Sequence, residues 1–123
     1  MLFLGQYQHK VEQGKVELPA FLAQRALFWL VYESGEDAPA CSLIPCESYE
    51  NFLLDHSEFN VPLRMLAQGE VLREADGRWM LPEPIRDRLP QEEILFCGVG
   101  RFVELRPCGE ETDRRDLLSK LGF

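Results

Sequence analysis

A six-residue pattern occurs twice in this chain. Gly14-Lys15-Val16-Glu17-Leu18-Pro19 returns as Gly77-Arg78-Trp79-Met80-Leu81-Pro82, 63 positions later. Glycine, a cation, two variable positions, leucine and proline match in order. A second echo, Ile44-Pro45-Cys46 against Arg106-Pro107-Cys108, is offset by 62 positions. That much ordered agreement points to a tandem duplication. Two copies are too few for a solenoid, which usually needs three or more. At 123 residues the chain suits one compact unit made of two packed half-modules. The expected halves are 1–62, with a linker helix, and 63–123, with a C-terminal helix.

The local patterns give each half strands and short helices. The first half reads as a strand over 2–10, a turn at Glu12-Gln13-Gly14-Lys15, and a strand over 16–18. Pro19 opens a short helix through 26, since proline at a first helical turn sacrifices no hydrogen bond. Strands follow over 28–33 and 41–44, with a Gly/Pro loop between them. Tyr49, Phe52 and Leu53 share one face of a helix over 47–56. Leu63, Leu66 and Ala67 predict a further helical stretch ended by Gly69. The second half then restarts: strands over 70–74 and 78–81, a helix over 82–89, and strands over 93–97 and 101–105. Leu117, Leu118 and Leu121 line a last helix. The fold class is α+β and β-rich.

Hydrophobic residues make up 46% of the chain, enough for a real core. No apolar run approaches the length of a membrane span. The Met1-Leu2-Phe3-Leu4-Gly5-Gln6 start lacks a basic n-region and is not read as a signal peptide. The expected location is the cytoplasm. Cys41, Cys46, Cys97 and Cys108 form no C-x-x-C pair, and only His9 and His56 could join them, so no metal site is expected. Reduced, semi-buried thiols are the simpler reading.

Net charge is −8 and uneven: residues 1–62 carry three basic and nine acidic side chains, residues 63–123 ten and twelve. Overall acidity opposes non-specific attraction to nucleic acid, so any contact with phosphate needs a local basic patch. The repeated motif supplies one candidate. Each copy sets a cation directly after a turn glycine, at an exposed hairpin tip. Arginine there donates two parallel hydrogen bonds to phosphate or guanine, and lysine donates charge without that fork.

In these residues the chain resembles the MraZ family, bacterial transcriptional regulators built from two AbrB-like halves. Phe3-Leu4-Gly5-Gln6-Tyr7-Gln8-His9 is similar to the family's opening strand. Leu43-Ile44-Pro45, followed by Tyr49, looks like the end of the first half. Gly98-Val99-Gly100-Arg101-Phe102-Val103-Glu104-Leu105 resembles the final hairpin. The family's Asp-x-x-Gly-Arg element has Val11 and Lys15 in the first copy and Glu74 and Arg78 in the second. Arg106 stands where the family has tryptophan. The resemblance covers about residues 2–107. It implies two pseudo-symmetric halves in a swapped-hairpin, double-ψ-type β-barrel, and homo-oligomers that form rings. It also implies nucleoid association and contacts to direct-repeat DNA from the hairpin loops. Lys15 and Arg78 inherit the basic position, with Arg73 and Arg101 as further candidates.

Other chemistry is not legible. No Ser/His/Asp or Cys/His arrangement gives a catalytic centre, and Gly98-Val99-Gly100 lacks the third glycine and helix of a dinucleotide loop. No cofactor, small-molecule substrate, membrane or enzymatic role is expected. A second function class fits the acidic first half and Val11: a protein-interaction and assembly module without specific DNA binding.

Overall fold

The computed structural model describes residues 3–34, 39–58, 63–89 and 92–107. It is strand-rich, with few short helices around one curled antiparallel sheet. The strands are β1 (Gln6–Glu12), β2 (Lys15–Glu17), β3 (Leu27–Ser34), β4 (Ala40–Pro45), β5 (Leu63–Glu70), β6 (Arg78–Met80), β7 (Glu93–Gly98) and β8 (Val103–Pro107). A 3-10 turn (Cys46–Ser48) leads into α1 (Tyr49–Glu58), and α2 (Glu83–Arg86) follows β6. Sheet order is β5-β3-β4-β8-β7-β1-β2-β6.

This order interleaves the two sequence repeats. β1 lies beside β7, and β5 lies beside β3. The two copies of the motif pair with each other through β2 and β6: Lys15 opposite Met80, Val16 opposite Trp79, Glu17 opposite Arg78. At an offset of 63 the pairing is symmetric about Val16 and Trp79. β4 and β8 repeat the relation, with Cys41 opposite Leu105, Ser42 opposite Glu104, and Leu43 opposite Val103. At an offset of 62 that pairing is symmetric about Ser42 and Glu104.

The two hairpin tips differ in length. Gln13 (φ 54°) and Gly14 (φ 77°) both lie in the left-handed region between Glu12 and Lys15, which makes a two-residue type I′ hairpin. In the second copy the Glu74 N–H donates to the Arg78 carbonyl at 2.8 Å, so three residues form the loop. Gly77 takes φ 83°, and the Arg78 N–H donates to Asp76 Oδ1 at 3.0 Å. The second tip is one residue longer than the first.

The main core takes Val16, Leu18, Leu22, Leu27, Val31, Leu43, Trp79, Leu81, Ile85, Ile94, Phe96, Val103 and Leu105. Trp79 is only 2% exposed. A smaller cluster of Leu30, Tyr32, Ile44 and Phe52 joins α1 to the other side of β3 and β4. Phe52 meets Tyr32 and Phe102 edge-on, with centroids 5.5 and 4.8 Å apart, a favoured aromatic geometry.

Several expectations need correction. Residues 19–26 are turns, not a helix. Their bonds run three residues back, from Leu22 N–H to the Pro19 carbonyl and from Arg25 N–H to the Leu22 carbonyl. The Arg73 guanidinium takes the Leu22 and Arg25 carbonyls, at 2.5 and 2.7 Å. Leu22 thus gives Arg73 and Arg25 the acceptor that a helical i+4 bond would use. Residues 63–69 are β5, a strand. Pairing along β3, from Phe28 opposite Glu70 to Ser34 opposite Leu63, overrides the helical spacing. A register shift between Val31 and Tyr32 breaks the strict alternation that would have signalled it. That strand ends at Glu70, so 70–74 is not a strand, and Arg73 makes only an isolated bridge to Trp79. The first strand starts at Gln6, and Phe3 bridges Gly100 instead. The helix after Pro82 is a single turn, and β8 starts at Val103. The C-terminal helix and Cys108 fall outside the described residues.

Candidate nucleic-acid interface

The buried pair Val16 and Trp79 sends its strand neighbours outward, because successive side chains on a strand alternate. Lys15, Glu17, Arg78 and Met80 therefore share the outer face of the paired motifs. A surface groove of about 150 Å³ is lined by His9, Lys10, Glu12, Lys15, Glu17 and Arg78. The two motif cations, 63 residues apart in sequence, lie in one site. His9 is steadied at the back by an edge-on contact with buried Phe96, centroids 5.4 Å apart.

Each cation meets an acid from the other repeat. Lys15 Nζ lies 2.5 Å from Glu74 Oε2. Arg78 Nη1 lies 3.5 Å from Glu12 Oε2, and its Nε lies 3.9 Å from Asp76. Glu12 and Glu74 each precede their own hairpin turn, so the ion pairs cross reciprocally between the copies. The acid equivalent to Glu74 is thus Glu12, not Val11, which packs against the core. The hydrogen bond and charge of Glu74 hold the Lys15 ammonium above the ordinary lysine range. Both acids are well exposed, with side chains 64% accessible for Glu12 and 39% for Glu74. Exposed pairs of this length are weak and exchange readily with salt or another anion.

The remaining expected contacts lie elsewhere. Arg73 is turned inward to the 19–26 turns, with its Nε buried and lacking a hydrogen-bond partner. Its geometry is that of a structural arginine. Arg101 is exposed on the turn between β7 and β8, beside α1 and not in the groove. Neither Lys10 nor His9 was expected in the site from the sequence. The acid before each turn glycine was the available signal for the crossed pairs.

Among the described residues no three His, Cys, Asp or Glu side chains gather as a metal site. Cys41 and Cys97 are buried and in no disulfide, and burial pushes the Cys41 thiol up to about 11. No helix of the described residues is long and apolar enough to cross a membrane. Compared with known proteins, the chain matches no family model and no curated protein.

Proposed function

We propose that this chain is an oligomeric, nucleoid-associated DNA-binding regulator of the MraZ type, reading direct-repeat DNA with the groove between its paired motifs. The observation that carries the reading is the meeting of Lys15 and Arg78 in one exposed groove. The crossed order of the strands and the symmetric β2–β6 and β4–β8 registers support a swapped-hairpin, double-ψ-type barrel of two AbrB-like halves. Lys10, Lys15 and Arg78 outnumber Glu12 and Glu17 along the groove, in a chain of net charge −8. Counting Glu74 and Asp76 as well, four acids face three cations, so one groove gains attraction for phosphate only as its ion pairs open. Affinity then comes from several subunits acting together, through effective concentration along repeated sites. Phosphate displaces Glu12 from Arg78 first, because that pair is the longer and more exposed of the two crossed pairs.

Fluorescence anisotropy on labelled promoter fragments at low salt tests this. Binding to fragments with direct repeats, weakened by Arg78→Ala and by Lys15→Ala, is the expected result. Absence of binding to every fragment sinks it.

One observation favours a second reading, an assembly module without DNA recognition. Both motif cations already hold an acid from the opposite copy. On that reading the ion pairs lock the halves together, and Arg78→Ala lowers stability without any nucleic-acid phenotype.

A further inference from the structure

A second concavity lies away from the motif groove, between α1 and the turn joining β7 to β8. It encloses about 260 Å³ and is lined by Ile44, Ser48, Asn51, Phe52, Phe102 and Arg101, with Val99 and Gly100 at the turn. Its floor is apolar: Ile44 is fully buried and Phe52 is 5% exposed. The edge-on contact of Phe52 with Phe102 fixes one wall. The polar groups are few and convergent: a serine hydroxyl, an asparagine amide and a guanidinium. Apolar walls with a small number of placed polar groups are the usual make-up of a small-molecule site.

The turn is held in advance. Phe3 N–H donates to the Gly100 carbonyl at 2.5 Å, and Gly100 N–H donates to the Phe3 carbonyl at 3.1 Å. Val99 N–H donates to the Phe102 carbonyl at 3.1 Å. Gly100 sits at φ 103°, where a side chain is strained, and a Cβ there would meet nothing within 4 Å. The rim is therefore bare as well as rigid. Arg101 is exposed and has no acidic partner among the described residues, unlike Lys15 and Arg78.

We propose that this pocket binds a small carboxylate carrying an aromatic or compact apolar body. The body lies on Ile44, Phe52 and Phe102. The carboxylate accepts hydrogen bonds from Arg101, with Ser48 and Asn51 as further donors. Guanidinium and carboxylate match in charge and in planar geometry. The pocket suits a free small acid because it is concave and near the small end of ligand-site volumes. The inference is independent of DNA binding.

The test is a titration of the ¹⁵N-labelled full chain with 3-phenylpropionate, and in parallel with the neutral 3-phenyl-1-propanol. Saturable amide shifts are expected at Ser48, Asn51 and Val99 to Phe102, with the alcohol about tenfold weaker. Arg101→Gln should bring the acid down to the alcohol's affinity. Arg64→Gln, an exposed arginine on β5, should leave it unchanged. The idea is overturned by the lack of a saturable shift, or by shifts centred elsewhere. Equal affinity for acid and alcohol, or an acid affinity indifferent to Arg101→Gln, overturns it equally.

Discussion

Replacing Trp79 with alanine removes the largest fully buried side chain in the molecule's described core. Trp79 sits at the symmetric centre of the β2–β6 pairing, opposite Val16, which is 1% exposed. Burying a tryptophan removes roughly 150–250 Å² from water, worth about 4–6 kcal/mol at ~25 cal/mol per Å². Measured Trp→Ala losses in cores run about 3–5 kcal/mol, because neighbours relax into part of the cavity. Some relaxation is available here, since Trp79 also borders an open surface hollow with Leu72, Met80 and Pro82. The expected loss is about 4 kcal/mol, or roughly 15 °C in Tm for a chain of this size. Urea unfolding followed by far-UV circular dichroism measures it. Trp29→Ala serves as the comparison, because Trp29 is only half-buried and lies over Gly69. A loss below about 1 kcal/mol for Trp79→Ala, or a larger loss for Trp29→Ala, would refute the placing of the paired motifs over the core.

Further outcomes follow from single residues. Arg73→Ala should cost about 2 kcal/mol, since it strips the Leu22 and Arg25 carbonyls of a charged donor; a neutral effect in urea titration would contradict the structural role. Cys41 has a folded-state value raised by burial from 9 to about 11, so its neutral form favours the fold. Its contribution is complete below pH 9 and lost as pH rises toward 11, which thermal melts of wild type against Cys41→Ala can follow. Glu12→Gln frees Arg78 from its longer partner and should tighten DNA binding several-fold at low salt; weaker binding in the anisotropy assay would count against the exchange of Glu12 for phosphate.

The repeat made much of the sheet legible. Gly14 and Gly77 marked real hairpin tips, and the apolar runs around Val31, Leu43 and Phe96 are real strands. The 47–56 helix was close to α1 because its apolar spacing is backed by Phe52 packing. Where local spacing and long-range pairing disagreed, pairing won. Leu63, Leu66 and Ala67 carry helical spacing, but β3 offers a full edge for them to pair with. Around 19–26 an arginine some fifty residues away takes the Leu22 and Arg25 carbonyls, which no local pattern reveals. The motif cations were legible as a pair of exposed charges. Their meeting in one groove was not, because it depends on β2 pairing with β6 across 63 residues. The pocket beside α1 was hidden for the same reason: Ser48 and Arg101 come together only through the β4–β8 register.

The central claim is that the paired motifs form one phosphate-binding surface. Its most direct test is the salt dependence of affinity for a direct-repeat DNA, comparing wild type with Arg78→Ala and Lys15→Ala. Each phosphate contact contributes about 0.9 to the slope of log K against log salt. The account predicts a slope reduced by about 1 or more for each variant, multiplied by the number of subunits engaged. An unchanged slope in both variants, with DNA still bound, would contradict it.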